Sequence, residues 1–181
     1  MRRWNGWGEE ATEVELPAHG AAFLSQRIGE GQPLHDASLA EVLAKVPPSR
    51  LPAHPLVSTD AELRVRHARG QSLPDWLAMR SGDFGRFPDG VALPQSAEQI
   101  RELLRWVAAE DICLVIYGGG TSVAGHINPP AVERPVLTLS LARMNQLLAL
   151  DEESRLATFG PGASGPQVES QLRARGYTLG H

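Results

Sequence analysis

The residues best suited to chemistry stand together at positions 118–122, with the sequence GGGTS. They follow an apolar run, Ile112 to Ile116, that is typical of a buried strand. Glycine adopts positive φ without steric cost and has no Cβ, so several backbone N–H groups can face one ligand closely. The two hydroxyl groups add further donors. This pattern predicts a main-chain cradle for an anion, and we favour a pyrophosphate.

Other kinds of glycine-rich turn fit this segment less well. A P-loop carries a lysine directly after its last glycine, but Thr121 stands there. A Rossmann fingerprint needs a third glycine three residues after Gly120, where this chain has Val123. A tight turn that needs only flexibility is the remaining alternative. Three glycines followed by two hydroxyls favour the anion cradle.

The elements around this segment indicate a small α/β unit. Val91 to Leu93 and Val136 to Leu139 are short apolar runs, and Ser96 to Gln99 is a capping box. It opens a helix whose apolar residues recur at i, i+3, i+4, i+7 and i+8 from Ile100. The order strand, helix, strand, link, strand predicts parallel pairing between the first two strands. The glycine segment then lies at a strand's carboxyl end, where such sheets bind ligands.

A hairpin and a further helix are predicted after this unit. Leu147 to Asp151 and Arg155 to Phe159 are typical of two strands joined by a turn. Ser164 to Gln167 is a capping box, and the helix that it starts should end near Gly176. The chain therefore makes a second elbow from a strand into a helix.

The first 90 residues are predicted to form a mainly helical extension, although residues 1–37 are polar and glycine-rich, with one short apolar patch from Ala21 to Leu24, and have no clear pattern. Helix starts are predicted at the capping boxes of Ser38, Thr59 and Ser72. Trp4 and Trp7 could stack on a ligand, but we expect them to pin the terminus to the rest of the protein.

A basic cluster, RVRHARG, lies between two of these helix starts and contains Arg64, Arg66, His67 and Arg69. One interpretation is that it faces a phosphate-bearing substrate or cofactor. On physical grounds we favour a solvated helix face, which is the commoner role of a charged run.

Composition excludes some partners. Seventeen basic and 21 acidic residues give a net charge of −4, so no broad basic surface favours nucleic acid. No apolar run approaches the ~20 residues that span a bilayer, and we expect no signal peptide. The single cysteine, Cys113, is expected to be a small core residue in a reducing, cytoplasmic compartment. The spacing of His, Cys, Asp and Glu predicts no metal site and no catalytic triad.

The segment GGGTSV after an apolar strand resembles the pyrophosphate loop of the FAD-linked oxidases. This family shares its FAD-binding domain with vanillyl-alcohol oxidase and p-cresol methylhydroxylase (PCMH). The opening WNGWG, Trp4 to Gly8, and the stretch RVRHARG are similar to the alkyldihydroxyacetonephosphate synthase branch. The resemblance covers most of the chain and is strongest from Pro94 to His181.

The resemblance implies FAD as cofactor and an α/β (α+β) fold. In that fold a helical N-terminal extension, residues 1–90, precedes the first part of a PCMH-type FAD-binding domain, residues 91–181. It also implies a longer enzyme whose catalytic side chains follow His181, so no catalytic residue is assigned. The implied cofactor-binding residues are Ile116, Tyr117, Gly118, Gly119, Gly120, Thr121 and Ser122.

Two enzyme functions are compatible with the resemblance. One is the exchange of an acyl group for an alkyl ether on a dihydroxyacetone-phosphate ester, and the other is oxidation of 2-hydroxy acids or alcohols. We favour the first, because simple hydroxy-acid oxidases begin close to the strand at Val91 and lack such an extension. A non-catalytic nucleotide-binding module is the third alternative. Besides FAD, the expected partner is a small-molecule substrate, and a homodimer is left open; His126, beside the loop, is not assigned to covalent flavin attachment.

Overall fold

A computed structural model describes residues 3–12, 14–32 and 34–180. Within these residues the chain forms six helices and six strands, which confirms the predicted α/β class. None of these helices has the length and apolarity that crossing a bilayer requires. In chain order the elements are α1 (Ala18–Ile28), α2 (Leu39–Leu43), β1 (Val57–Ser58), α3 (Ala61–Arg66), α4 (Leu73–Ser81), β2 (Gly90–Ala92), α5 (Ala97–Ala109), β3 (Cys113–Tyr117), β4 (Val136–Ser140), β5 (Leu147–Asp151), β6 (Leu156–Phe159) and α6 (Gly165–Arg173).

A four-stranded sheet with the order β1-β2-β4-β3 forms the centre of the structure. β2 and β3 each run parallel to β4, and β1 pairs antiparallel with β2. The predicted direct pairing between β2 and β3 is wrong, because β4 lies between them. All five residues of β4, VLTLS, are buried. Such an apolar run suits a strand that has a neighbour on each side.

α5 packs its apolar stripe against this sheet. Ser96 caps the first turn, with its hydroxyl accepting a hydrogen bond from the Gln99 N–H at 3.3 Å. The other half of the predicted capping box does not form, because Gln99 Oε1 accepts the Gln95 N–H at 2.7 Å. Leu103 and Val107 are buried in one cluster with Leu137 of β4. Burial of a leucine side chain contributes about 1.5–3 kcal/mol, so this contact fixes the helix on the sheet.

The segments before β2 bury a separate apolar cluster. Val65 of α3 and Met79 of α4 pack with Phe84. The Trp4 ring stacks on the Phe84 ring with centroids 6.3 Å apart, which confirms that Trp4 pins the N-terminal segment. Trp7 is 59% exposed and does not share this role.

Side-chain caps set where most of the early helices begin. Ser38 and Ser72 form the predicted capping boxes of α2 and α4. The predicted cap at Thr59 is wrong by one residue, because the carboxylate of Asp60 accepts the Leu63 N–H of α3 at 2.8 Å. A carboxylate also gains from the positive end of the helix dipole, which a neutral hydroxyl does not. The apolar patch near residues 21–24 belongs to α1, a helix with no buried residue.

β1 carries the N-terminal region into the central sheet. Val57 pairs with Ala92, and Ser58 pairs with Val91. The first 90 residues, predicted as mainly helical, therefore supply an edge strand as well. The division into two domains near residue 90 stays a prediction, and this strand pairing crosses it.

Asp89 fastens the junction between the N-terminal region and the sheet. Its buried carboxylate accepts hydrogen bonds from Arg50 Nε at 2.8 Å, Arg50 Nη2 at 2.7 Å and the Val136 N–H at 2.7 Å. Burial acts to raise the pKa of Asp89, but these hydrogen bonds outweigh it, and the pKa lies below its ordinary value. The Asp89 side chain thereby connects three segments: the connector before β1, the start of β2 and the start of β4.

β5 and β6 form the predicted antiparallel hairpin, and the elbow after β6 leads into α6. The elbow lies against the residues that follow β4. A Cβ at Gly162 would overlap the Leu141 carbonyl, and one at Gly160 would overlap the Met144 carbonyl. Ser164 forms the predicted capping box of α6. The two glycines therefore allow the start of α6 to approach the carboxyl end of the central sheet.

Candidate functional site

The glycine segment leaves β3 at its carboxyl end, as predicted. A Cβ added at Gly118 would meet no atom within 4 Å, and one at Gly119 would meet only the Thr121 methyl group at 3.7 Å. Of the three glycines only Gly120 has a positive φ, of 69°. The turn therefore needs glycine conformation at one position, while the other two glycines are exposed and have room beside them where a side chain would stand.

The side chain of Tyr117 packs against the glycine loop at Gly120. It is buried, its hydroxyl donates to the Arg66 carbonyl at 3.2 Å, and its ring centroid lies 4.5 Å from that of His67. A Cβ at Gly120 would overlap the Tyr117 hydroxyl. The tyrosine therefore couples the loop to the end of α3.

The far side of the loop is held by the segment before α4. The Gln71 N–H donates to the Ser122 carbonyl at 2.7 Å. The Gly70 N–H donates to Asn128 Oδ1 at 3.0 Å, and Asn128 Nδ2 donates to Asp75 Oδ1 at 2.7 Å. We call these three hydrogen bonds the loop clamp. They fix residues 122–128 to a part of the chain about 50 residues earlier in the sequence.

Asp75 is the buried anchor of the loop clamp. Besides Asn128, its carboxylate accepts the Ser72 hydroxyl at 2.6 Å and lies 3.5 Å from Arg69 Nη1. Burial acts to raise the pKa of Asp75, but the hydrogen bonds from Ser72 and Asn128 outweigh it and lower the pKa. Asp75 is therefore ionised at neutral pH.

A cleft of about 420 Å³ opens beside the glycine loop. Its walls come from the loop, the end of β4, the elbow before α6, the segment from α3 to α4, and the N-terminal segment. The lining residues are Arg3, Trp4, Val65, Arg66, His67, Arg69, Gln71, Met79, Tyr117, Gly118, Gly119, Ser140, Ala142, Gly162, Ser164 and Gln167.

Three of the seven predicted cofactor-binding residues lie in the cleft wall: Tyr117, Gly118 and Gly119. Gly120 is buried, is not among the lining residues, and has the positive φ that the turn needs. The structure thus brings the middle of the predicted segment to the cleft, and contact with a ligand stays a prediction for all seven residues.

The other three predicted residues lie outside the cleft wall. Ile116 is on the edge strand with 53% of its surface exposed. Thr121 is exposed, and the Ser122 hydroxyl lies 3.5 Å from His126 Nε2. In this structure Ser122 contributes mainly its carbonyl oxygen, which the loop clamp uses.

The basic cluster does not form the solvated helix face that we favoured. Arg64 is 3% exposed and donates to the carbonyls of Pro88 at 2.6 Å and Pro47 at 2.8 Å. Its guanidinium ties α3 to the segments that flank the sheet. That interpretation is therefore wrong for Arg64, whose role is structural.

The remaining basic residues, Arg66, His67 and Arg69, line the cleft. Arg66 forms an ion pair with Glu62 at 2.8 Å. His67 Nδ1 lies 2.8 Å from the Leu63 carbonyl, so this nitrogen carries the hydrogen. One wall of the cleft is therefore basic, and it belongs to the N-terminal region.

Two buried polar atoms of the cleft wall have no hydrogen-bond partner within the described residues, Ser140 Oγ and Arg69 Nε. Leaving a buried donor unsatisfied costs about 1–3 kcal/mol, and such groups are rare in folded proteins. Sequence reasoning missed Ser140. In the sequence, Ser140 is marked only as a polar residue at the end of the apolar run VLTLS. Its place near the glycine loop follows from its pairing with Tyr117, which the sequence does not show.

These features fit a ligand with several negatively charged oxygens. No carboxylate is present among the described residues that line the cleft. The exposed glycines Gly118 and Gly119 and the two unsatisfied donors suit a pyrophosphate. Within the described ranges no group of three His, Cys, Asp or Glu could hold a metal ion.

A larger cleft, of about 540 Å³, lies between the N-terminal segment and α4. Trp7 and Trp76 line it together with Arg3 and Arg80. Arg3 Nε donates to a backbone carbonyl at 3.1 Å, and Arg80 pairs with Asp36 at 3.1 Å. This cleft contains none of the predicted site residues, so the smaller one is the candidate site.

Comparison with known proteins gives three relevant matches. Residues 88–181 match the family described as FAD binding domain. The chain is 26% identical to alkyldihydroxyacetonephosphate synthase of Trypanosoma brucei brucei over 99% of this chain and 35% of that protein. A solved structure of an alkyldihydroxyacetonephosphate synthase matches with a TM-score of 0.80 at 25% identity, over 99% of this chain and 40% of that chain.

A hydroxy-acid enzyme matches a shorter part. D-2-hydroxyglutarate dehydrogenase of Stutzerimonas stutzeri is 29% identical over 51% of this chain and 19% of its own length. The chain spans about a fifth to two fifths of the length of the relatives that it matches.

Proposed function

The chain belongs to the FAD-binding domain family through residues 88–181, and from this premise we propose that its candidate cleft holds the pyrophosphate of FAD. The observation that carries the proposal is a cleft lined by two exposed glycines, Gly118 and Gly119, and by basic side chains, with no carboxylate among its described lining residues. When bound, FAD supplies the redox-active ring. The residues of this chain would hold its phosphates and orient it.

For the whole protein we propose an exchange of an acyl group for an alkyl ether on a dihydroxyacetone-phosphate ester. The coverage of the matches supports this choice. The Trypanosoma brucei brucei synthase and the solved synthase structure match 99% of the chain, including the N-terminal region that forms the basic wall, and two further synthases match 67% and 68% of it. The dehydrogenase relative matches about half of it. Because one fold hosts many activities, the assignment needs a direct test.

The first test separates the two enzyme activities. The complete gene product, loaded with FAD, is incubated with an acyl-dihydroxyacetone phosphate and a radiolabelled fatty alcohol. We expect label to enter the phosphate ester without net oxygen consumption, because the exchange is redox-neutral. Product formation is measured by lipid extraction, and oxygen is followed with an electrode.

The matched reaction uses a panel of D-2-hydroxy acids with oxygen or a dye acceptor. Sustained turnover of one of these acids, without incorporation of fatty alcohol, would assign the protein to the oxidase alternative. Retention of FAD with neither activity would leave the nucleotide-binding module as the better description.

We further propose that the 181-residue chain alone is inactive and binds FAD weakly. The cleft is open, and the chain corresponds to only a fifth to two fifths of its relatives' length. We therefore expect that most contacts to the flavin ring are missing, and that the dissociation constant lies above ~1 µM, a binding free energy weaker than ~8 kcal/mol. Isothermal titration calorimetry measures it. Tighter binding would mean that the described residues contain most of the cofactor site.

A further inference from the structure

The last residue of β4, Ser140, has a buried hydroxyl that is unpaired within the described residues. The residue as a whole is fully buried. It pairs with Tyr117 across the sheet, and the Leu141 N–H donates to the Tyr117 carbonyl at 2.9 Å. This pairing places Ser140 next to the end of β3, where the chain continues into Gly118. Both residues line the cleft.

The basic wall offers one donor of the same kind. The Arg66 guanidinium forms ion pairs with Glu62 at 2.8 Å and with Glu10 at 3.2 Å. Arg69 donates through Nη2 to the Phe84 carbonyl, and its Nη1 lies 3.5 Å from Asp75 Oδ1. Its buried Nε has no hydrogen-bond partner in the part of the chain that the structure describes. Arg69 therefore keeps a fixed position and one N–H that is not satisfied within the described residues.

We propose that Ser140 Oγ and Arg69 Nε form an anion subsite that binds phosphate oxygens of FAD. The assignment rests on the proposed FAD site and adds two side chains outside the loop that the sequence singled out. Both groups are donors at neutral pH, and a phosphate oxygen is a strong, charged acceptor. Without such an acceptor each group carries the cost of an unmet hydrogen bond.

A residue of the same strand provides a matched control. Thr138 is fully buried two positions before Ser140, and its hydroxyl also has no partner within the described residues. Residues two apart on a strand lie on the same face. Thr138 does not line the cleft. Removal of the Ser140 hydroxyl tests contact with the ligand. Removal of the Thr138 hydroxyl tests the effect of losing a buried, unpaired hydroxyl from the same strand.

The experiment uses Ser140→Ala and Thr138→Val in the 181-residue chain, titrated with FAD and with ADP up to millimolar concentration. Amide shifts in nitrogen-15 NMR spectra give the dissociation constants. A hydrogen bond to a charged group is worth about 1.5–3 kcal/mol, so Ser140→Ala should weaken both ligands at least tenfold. Thr138→Val should change both constants less than twofold. Arg69→Lys, which keeps the charge and removes the Nε–H, should also weaken both ligands.

A second readout needs no ligand. Because Ser140 Oγ has no hydrogen-bond partner among the described residues, the thermal unfolding midpoint of Ser140→Ala should equal or exceed that of the wild type. A clear decrease would mean that the hydroxyl has an internal partner, and the subsite would be rejected. Unchanged ADP affinity with weakened FAD affinity would place the hydroxyl near the flavin portion and reject the phosphate assignment.

The outcomes for the two proposals are distinct. If the wild-type chain shows no shifts at Gly118 and Gly119 with FAD, and the complete gene product also purifies without flavin, the proposed FAD site fails and the subsite fails with it. If the wild type responds and Ser140→Ala binds FAD and ADP equally well, only the subsite is rejected.

Discussion

Replacing Asp89 by alanine is expected to lower the free energy of unfolding by about 1.5–3 kcal/mol. The change removes a buried carboxylate that accepts hydrogen bonds from Arg50 and from the first residue of β4. It also removes the negative charge near the buried guanidinium of Arg64. That charge partly offsets the energetic cost of burying the Arg64 cation. Urea denaturation followed by circular dichroism measures the effect.

Asp36→Ala is the matched control for this change. Asp36 forms an ion pair with Arg80 at 3.1 Å, but its side chain is 57% exposed. Exposed pairs contribute about 0–1 kcal/mol, so this variant should stay close to the wild type. Equal stability losses in the two variants would contradict the role of Asp89 as a buried fastening.

The same carboxylate predicts how stability depends on pH. Its folded pKa is lowered, so its contribution is fully present above the unfolded value of about 3.9 and is lost as pH falls through the lower folded value. Acid should therefore destabilise the wild type more steeply than Asp89→Ala below about pH 4. A parallel decline in both proteins would show that other carboxylates dominate the acid response.

Gly119→Asp is expected to abolish most flavin binding in the complete gene product, with an affinity loss of at least ~100-fold. The added Cβ meets only the Thr121 methyl group at 3.7 Å, and no positive φ is required at this position. The variant should therefore fold. Its new negative charge would lie where we place the pyrophosphate. The ratio of flavin absorbance to protein absorbance after purification gives the result.

Gly31→Asp makes the same chemical change away from the cleft. A Cβ at Gly31 meets no atom within 4 Å, and its backbone also lacks positive φ. This control should retain a full complement of flavin. Gly120→Asp would be a poor substitute for Gly119→Asp, because it combines a positive φ with overlap at Tyr117. Full flavin content in Gly119→Asp would remove the loop from the cofactor site.

Features fixed by neighbouring residues could be predicted from the sequence. The helix caps at Ser38, Ser72 and Ser164 depend on contacts three residues apart, so their patterns identify them directly. The cap of α3 shows the limit, since Thr59 and Asp60 stand side by side and both residue types can cap a helix. The glycine loop could also be predicted from adjacent residues, because an apolar strand followed by three glycines and two hydroxyl residues is typical of an anion-binding turn.

Features that join distant segments could not be predicted in the same way. β4 is inserted between β2 and β3, and no short-range pattern distinguishes this order from direct pairing. The role of Ser140 depends on that order. The basic wall likewise requires the knowledge that Arg69 folds back toward a loop about 50 residues later in the chain.

The loop clamp decides when the conformational entropy of the glycine loop is lost. Fixing one backbone residue costs about 1–2 kcal/mol, and glycine has the most freedom to lose. Tyr117 holds the start of the loop and the Gln71 N–H holds Ser122 at its end before any ligand arrives. The ordering cost therefore falls on folding and not on binding, so an anion meets a loop that is already preorganised.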